Sequence, residues 1–101
     1  MDSTSTIKRL KTQYKILAIL PLPDGVHALA VCRGSHQIWK VNLETGHMNV
    51  FCGQGEGGND DGQPHQASFK NPKGLAMKAN GAILVADSSN NLIREISPCG
   101  K

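Results

Sequence analysis

A run of glycines and acids between Gly53 and Gly62 contains residue types that hold phosphates in many proteins. Gly53, Gly55 and Gly58 have the Gly-x-Gly-x-x-Gly spacing of dinucleotide-binding turns. That function needs a helix directly after the glycines, because the helix N-terminus faces the pyrophosphate. The residues that follow, 59–64, are poor helix formers and bring acidic groups that repel phosphate. We therefore predict a structural turn here and no cofactor.

Asn59-Asp60-Asp61-Gly62 also suggests a calcium-binding loop. If Gly62 is placed at the sixth position of such a loop, Gly57 and Ser68 fall at the first and twelfth positions, where carboxylate ligands are required. The four histidines lie in different predicted strands or loops, and none is paired with a cysteine or an aspartate at zinc-ligand spacing. The sequence therefore predicts no metal site.

Asp87, followed by Ser88 and Ser89, ends a strongly apolar run and is the carboxylate best placed for catalysis. A catalytic carboxylate needs a partner acid, base or metal ligand, and a serine nucleophile needs a neighbouring base. The sequence offers neither beside Asp87. Aspartates at the ends of strands commonly accept backbone N–H bonds in the turn. We therefore predict that Asp87 stabilises a turn and that this chain carries no catalytic residue.

The composition places these residues in a small globular domain. The chain has 101 residues, of which 39% are hydrophobic, and its formal net charge of +3 does not by itself indicate binding to nucleic acid or to a membrane. Its three cysteines, Cys32, Cys52 and Cys99, are an odd number without a close pair. Because no apolar run is long enough for a signal peptide or a membrane span, we expect a cytoplasmic protein that does not bind membranes.

The elements that position these residues occur twice along the chain. The apolar run that begins at Ala28 matches the run that begins at Ile83, an offset of 55 (83 − 28). Each run follows a hairpin dipeptide, Asp24-Gly25 in the first copy and Asn80-Gly81 in the second. We therefore infer a repeat of antiparallel hairpins. The pattern predicts short strands over residues 15–20, 27–32, 37–43, 47–52, 74–78, 82–87 and 92–97.

The first predicted strand competes with a helix. Apolar residues recur at helical spacing between Ile7 and Leu17, with basic residues between them, as in a basic amphipathic helix. The stretch is short, and Pro21 ends it. We favour a strand over residues 15–20, because the repeat requires a strand before its first turn.

The run from Ile83 to Ala86 has no polar alternation, so both of its faces should be buried. A sheet stacked between two like sheets provides this burial, as in the blades of a β-propeller. We therefore divide the chain into four segments. They are an unassigned N-terminal extension (1–14), a divergent first blade (15–52), a glycine- and acid-rich connection (53–72) and a second blade (73–101), whose fourth strand is missing at Lys101.

Residues 53–97 resemble the NHL repeat. The resemblance rests on three groups of residues that follow one another in the order of that family. These are the glycines from Gly53 to Gly62, the Phe69-x-x-Pro72-x-Gly74 motif and Val85-Ala86-Asp87. The match is therefore specific over the second half of the chain.

The match is weaker over residues 24–52, where Cys32 stands at the position of the family's aspartate and Trp39 at that of its arginine. Residues 1–14 show no match. The resemblance implies an all-β fold, built from the antiparallel four-stranded blades of an NHL-type β-propeller and incomplete at just under two blades. Such propellers mainly bind protein or RNA partners, and a minority are enzymes.

The resemblance leads us to expect a non-catalytic interaction scaffold for a protein partner, with RNA as the second candidate. The alternative is part of a propeller enzyme, similar to the amidating lyase or to lactone hydrolases, whose metal site comes from other blades. Loops gather at the ends of a propeller, so polar and cationic residues there are candidates for a binding face. The candidates are Lys70, Asn71, Lys73, Asn90, Asn91 and Arg94. Arg94 is also a candidate for a structural pairing with a neighbouring turn.

A closed propeller has ~4–8 blades, and this chain carries just under two. Open blades expose two unpaired strand edges and two apolar sheet faces, which a soluble monomer avoids. We therefore expect either further blades from a longer protein or self-association.

Overall fold

The structure, a computed structural model, describes residues 5–98, which form seven antiparallel strands and one short 3₁₀ helix. The strands are β1 (Ile16–Pro21), β2 (His27–Cys32), β3 (Ile38–Asn42), β4 (Met48–Cys52), β5 (Pro72–Met77), β6 (Ile83–Asp87) and β7 (Leu92–Ile96), and the 3₁₀ helix is Ser88–Asn90. All seven predicted strands are confirmed, and no boundary differs by more than two residues from the predicted one. The alternative prediction of an N-terminal amphipathic helix is wrong, because β1 occupies the stretch in which that helix would end.

The strands form two sheets in which neighbours in sequence are neighbours in space. The first sheet has the order β1-β2-β3-β4 and the second has the order β5-β6-β7. All pairs are antiparallel, with irregularities in register near Ile16, Ile38 and Pro72. The all-β fold of just under two propeller-type blades is confirmed. The prediction that a fourth strand is missing at Lys101 falls outside the described residues.

The core lies between the two sheets. Leu29 and Val31 of β2 and Val85 of β6 point into it, and Phe69 enters from the connection between the sheets. Each of these side chains is almost fully buried. Burying an aliphatic or aromatic side chain of this size stabilises a fold by ~1.5–3 kcal/mol. This shared core fixes the two sheets face to face.

The central strands differ in how completely they are buried. β2 is buried from Ala28 to Cys32, as a strand covered on both faces should be. In β6, Ile83 and Val85 are buried, but Leu84 is half-buried and Ala86 is exposed. The second face of β6 is open because, within residues 5–98, the second sheet is covered only on the side of the first; its burial by a further blade stays a prediction.

The connections lie at two opposite ends of the sheets. The end that carries residues 33–37, 53–71 and 88–91 is called the loop end. The opposite end, which carries the hairpins 22–26, 43–47 and 78–82, is called the turn end. The turn end is compact, and its Gly25 and Gly81 adopt positive φ angles of 74° and 90°. The loop end holds the long connection and most of the polar side chains discussed below. Within the described chain, no helix is long and apolar enough to cross a membrane.

Candidate partner-binding face

An ion pair between Asp87 and Arg94 organises the loop end. Asp87 ends β6 with its side chain 0% exposed, and Arg94 lies in the adjacent β7 with its side chain 9% exposed. Arg94 Nη1 donates to Asp87 Oδ2 over 2.9 Å. Two charges are stable at this depth only when hydrogen bonds satisfy the rest of their polar atoms.

Arg94 binds the connection 53–71 with its remaining donors. Nη1 also donates to the Ser68 carbonyl over 2.8 Å, and Nη2 donates to the Asp60 carbonyl over 2.7 Å and to Asp61 Oδ1 over 2.8 Å. The guanidinium carbon lies 5.0 Å from the centre of the Phe69 ring, within the range of a cation–π contact. Arg94 therefore ties the connection to the second sheet, which is the structural role predicted as an alternative to binding.

Asp87 satisfies two further donors. Its Oδ1 accepts the backbone N–H of Lys70 over 2.7 Å, and its Oδ2 accepts Asn90 Nδ2 over 2.8 Å. The prediction that Asp87 accepts a backbone N–H is confirmed. The donor, however, lies 17 residues earlier in the chain rather than in the turn that follows.

The first sheet has a different contact at the equivalent positions. An offset of 55 places Trp39 on Arg94 (94 − 39) and Tyr14 on Phe69 (69 − 14). The rings of Tyr14 and Trp39 pack with their centres 5.2 Å apart, and Trp39 Nε1 donates to Ser35 Oγ over 3.0 Å. An aromatic pair thus replaces the cation–π contact. Cys32 stands at the position equivalent to Asp87, and a buried thiol, unlike a buried carboxylate, does not need a cation beside it.

The glycine-rich part of the connection is a structural turn, as predicted. The N–H groups of Gly53, Gln54 and Gly58 donate to the carbonyl groups of Pro64, Ala67 and Phe69, so they are not available to a phosphate. A Cβ at Gly53 would lie 2.9 Å from the His36 carbonyl, so only glycine fits there. The residues after Gly58 form turns and no helix, which excludes the dinucleotide-binding function.

Two acidic residues of the connection, Asp60 and Asp61, are used within the protein. Asp60 Oδ2 accepts the Ser68 hydroxyl over 3.3 Å, and Asp61 pairs with Arg94. No group of three or more histidine, cysteine, aspartate or glutamate side chains is placed to hold a metal ion within residues 5–98. The free thiols of Cys32 and Cys52 are buried, and burial raises the pKa of each; for Cys52 the charge of Arg94 acts in the opposite direction.

The structure brings the predicted binding residues to one end of the second sheet. Asn71 has a positive φ of 51°, its Nδ2 donates to Ser89 Oγ over 2.9 Å, and its backbone N–H donates to His36 Nδ1 over 3.1 Å. This last bond joins the two sheets at the loop end. Asn90 Nδ2 donates both to the Gly58 carbonyl and to Asp87, so its amide is used internally.

Three of the predicted binding residues have exposed side chains. Lys70 and Asn91 lie in the loops, Lys73 lies in β5, and all three are exposed. Neither lysine is within ion-pair distance of a carboxylate in the part of the chain that the structure describes. Their role in binding stays a prediction.

Sequence reasoning did not select Arg33, which follows β2 at the loop end and is exposed. Together with Lys73 it borders a cleft of ≈ 310 Å³ between the two sheets. A signal was present, because the offset of 55 aligns Arg33 with Ser88 (88 − 33), next to the predicted face.

Comparison with known proteins gives relatives for this architecture, although no family model matches the chain. NHL repeat-containing protein 2 of Gallus gallus is 41% identical over 73 residues, 72% of this chain and 10% of that protein. Protein SUPPRESSOR OF QUENCHING 1, chloroplastic, of Arabidopsis thaliana is 39% identical over 62 residues, 61% of this chain and 6% of that protein.

A more distant relative aligns with more of the chain. E3 ubiquitin-protein ligase TRIM71 of Xenopus tropicalis is 29% identical over 92 residues, which is 84% of this chain. The chain spans between 6% and 11% of the length of these three relatives. The ordered glycines, the buried Asp87–Arg94 pair, the antiparallel sheets and these relatives agree, and the chain belongs to the NHL-repeat family.

Proposed function

We propose that this NHL-repeat segment is an interaction scaffold whose loop end binds a protein partner. The observation that carries the proposal is that Lys70 and Asn71 end, and Lys73 follows, a connection that the buried Asp87–Arg94 pair holds in place. A rigid frame that presents cations and amides binds with little loss of conformational entropy. The sheet interiors are occupied by packing, which leaves the loops for recognition.

Electrostatics supports a partner with acidic groups. Lys70 and Lys73 are exposed at the loop end, while the carboxylates of Asp87 and Asp61 are engaged with Arg94. Asn91 adds an exposed amide at the same end. Exposed cations without partners attract acidic groups and raise association rates more than they raise affinity.

RNA is the weaker candidate, because its sequence-specific recognition usually stacks bases on aromatic side chains. Phe69 is buried beneath Arg94, and Tyr14 and Trp39 pack on each other, so that of these three rings only Tyr14, which is 43% exposed, offers a largely open surface. A propeller enzyme is not proposed, since Asp87 is fully buried and its two oxygens already accept three hydrogen bonds. We also propose a cytoplasmic setting, which suits the two buried free thiols.

The proposal is tested by reversing charge at the loop end in the full-length protein. We expect the Lys70→Glu/Lys73→Glu variant to lose partners that the unmodified protein retains in affinity purification with quantitative mass spectrometry. The reason is that two attractive charges become repulsive toward acidic groups. RNA binding is measured in parallel at low and high salt, and its selective loss with a flatter salt dependence would favour RNA instead.

A matched double reversal, Lys11→Glu/Lys78→Glu, is the control, because Lys78 lies at the turn end and Lys11 lies beside Gly46 of the 43–47 hairpin at that end. Both lysines are exposed, and the Lys78–Glu95 pair that the change removes is a surface pair worth less than ~1 kcal/mol. The control should keep all partners. If the loop-end variant is folded and keeps them too, the binding face lies elsewhere and the proposal is wrong.

A further inference from the structure

We propose that the cleft between the two sheets at the loop end binds a side-chain carboxylate of an acidic peptide segment in the partner, between Arg33 and Lys73. The inference deepens the proposed function by naming the chemistry that the scaffold recognises. It adds a residue of the first sheet, Arg33, to a face that the sequence placed only on the second.

The cleft has the size and position for one side chain. It has a volume of ≈ 310 Å³ and is bordered by Arg33 after β2, by Leu17 of β1, and by residues at the start of β5. Residues of both sheets and of the loops that follow them therefore border it. A carboxylate with its short aliphatic stem fits such a volume, because Leu17 and Pro72 give the cleft apolar surface for the stem.

The polar groups around the cleft are donors. Arg33 and Lys73 are exposed and lie outside ion-pair distance of any carboxylate of residues 5–98. Ser89 also borders the cleft, and its Oγ accepts the Asn71 amide, which leaves the hydroxyl hydrogen to donate. An ionised carboxylate accepts hydrogen bonds and donates none, so it matches this set. Arg33 can bind both carboxylate oxygens in a planar, bidentate contact.

A carboxylate fits the surroundings better than a nucleic-acid backbone does. Within residues 5–98, Arg33 and Lys73 are the two cations that border the cleft, whereas binding of nucleic acid usually depends on many phosphate contacts. Two cations are enough to bind one carboxylate.

The experiment measures binding of two defined probes to the full-length protein by fluorescence anisotropy. The probes are labelled hexaglutamate and labelled hexathymidylate, and hexaglutamine is the uncharged control peptide. We expect hexaglutamate to bind more tightly than either of the others. Arg33→Gln should weaken it about tenfold, the loss of a charge-assisted bidentate contact, and Arg33→Lys should weaken it less.

Arg9→Gln removes an exposed charge from the N-terminal segment, away from the cleft, and should leave binding unchanged. Equal hexaglutamate affinity in Arg33→Gln and Arg9→Gln would overturn the inference. So would tighter binding of hexathymidylate that depends on Arg33, because it would assign the cleft to phosphate. If Arg33→Gln has no effect while the loop-end double reversal loses its partners, the inference fails and the proposed scaffold function stands. If the reverse occurs, the cleft binds carboxylates but the scaffold function is wrong.

Discussion

At the scale of single residues, the buried charge of Asp87 has the largest expected effect on stability. Its oxygens accept hydrogen bonds from the Lys70 backbone, Asn90 and Arg94. In Asp87→Asn the carboxylate is gone, and Arg94 keeps only its exposed partner Asp61 as a negative charge. We expect a loss of ~3–5 kcal/mol in the free energy of unfolding, measured by chemical denaturation of the full-length protein.

Asp61→Asn is the matched control, because it removes the other carboxylate that Arg94 binds. The side chain of Asp61 is 92% exposed, so its ion pair is screened by water and should contribute at most ~1 kcal/mol. Equal losses for the two variants would show that burial does not strengthen the contact with Asp87.

At the scale of the element, the hairpin between β1 and β2 is predicted to respond to pH. Asp24 Oδ1 accepts the N–H groups of His27 and Val26, and Oδ2 lies 2.7 Å from His27 Nδ1. These contacts, with the backbone bond from His27 the strongest, lower the pKa of Asp24 below its ordinary value. The ionised form therefore stabilises the fold above the unfolded-state pKa of ~3.9, and the contribution is lost as the pH falls through the folded-state value.

Comparing the melting temperatures of the unmodified protein and Asp24→Asn over a pH series measures this contribution. We expect the unmodified protein to melt higher at neutral pH and the difference to shrink as the pH falls below ~4. The asparagine keeps an acceptor oxygen for the turn, so the comparison isolates the charge. A difference that is constant with pH would contradict the role of the ionised carboxylate.

The elements were more predictable than their contacts. Turn dipeptides such as Asp24-Gly25 and the apolar runs mark strands locally, because they depend on neighbours in sequence. The bond from Lys70 to Asp87 spans 17 residues and depends on the path of the connection, which no local pattern specifies. From the sequence alone, Arg94 is expected at an exposed position, because an arginine is rarely buried without a partner. Its burial became evident only when the structure placed Asp87 and three groups of the connection around it.

At the scale of the whole molecule, the face of the second sheet that points away from the first is open within residues 5–98. Ile93 on this face is 78% exposed, and among the described strands β7 pairs with β6 alone. Exposed apolar faces and unpaired strand edges promote association. We expect the 101-residue chain, produced alone, to elute as oligomers in size-exclusion chromatography. Ile93→Lys should shift it toward the monomer.

Ile7→Lys is the control for this prediction, because Ile7 is fully exposed but lies outside the sheets. It should leave the elution profile unchanged. A monomeric chain with a sharp cooperative melting transition would contradict the predicted association, because it would show that the open face of the second sheet is stable in water.

The exchange of contacts between the two copies has a consequence for how such repeats diverge. In the first copy, Cys32, Trp39 and Tyr14 occupy the positions that Asp87, Arg94 and Phe69 occupy in the second, and an aromatic contact stands where the second copy has an ion pair and a cation–π contact. Placing an arginine at Trp39 alone would set a guanidinium beside a thiol, without the carboxylate that makes its burial tolerable. Loss of the Asp87 carboxylate alone would leave Arg94 of the second copy buried without the charge that balances it. We therefore expect the two positions to be replaced together when such a repeat diverges, because either single change leaves a buried charge without its partner.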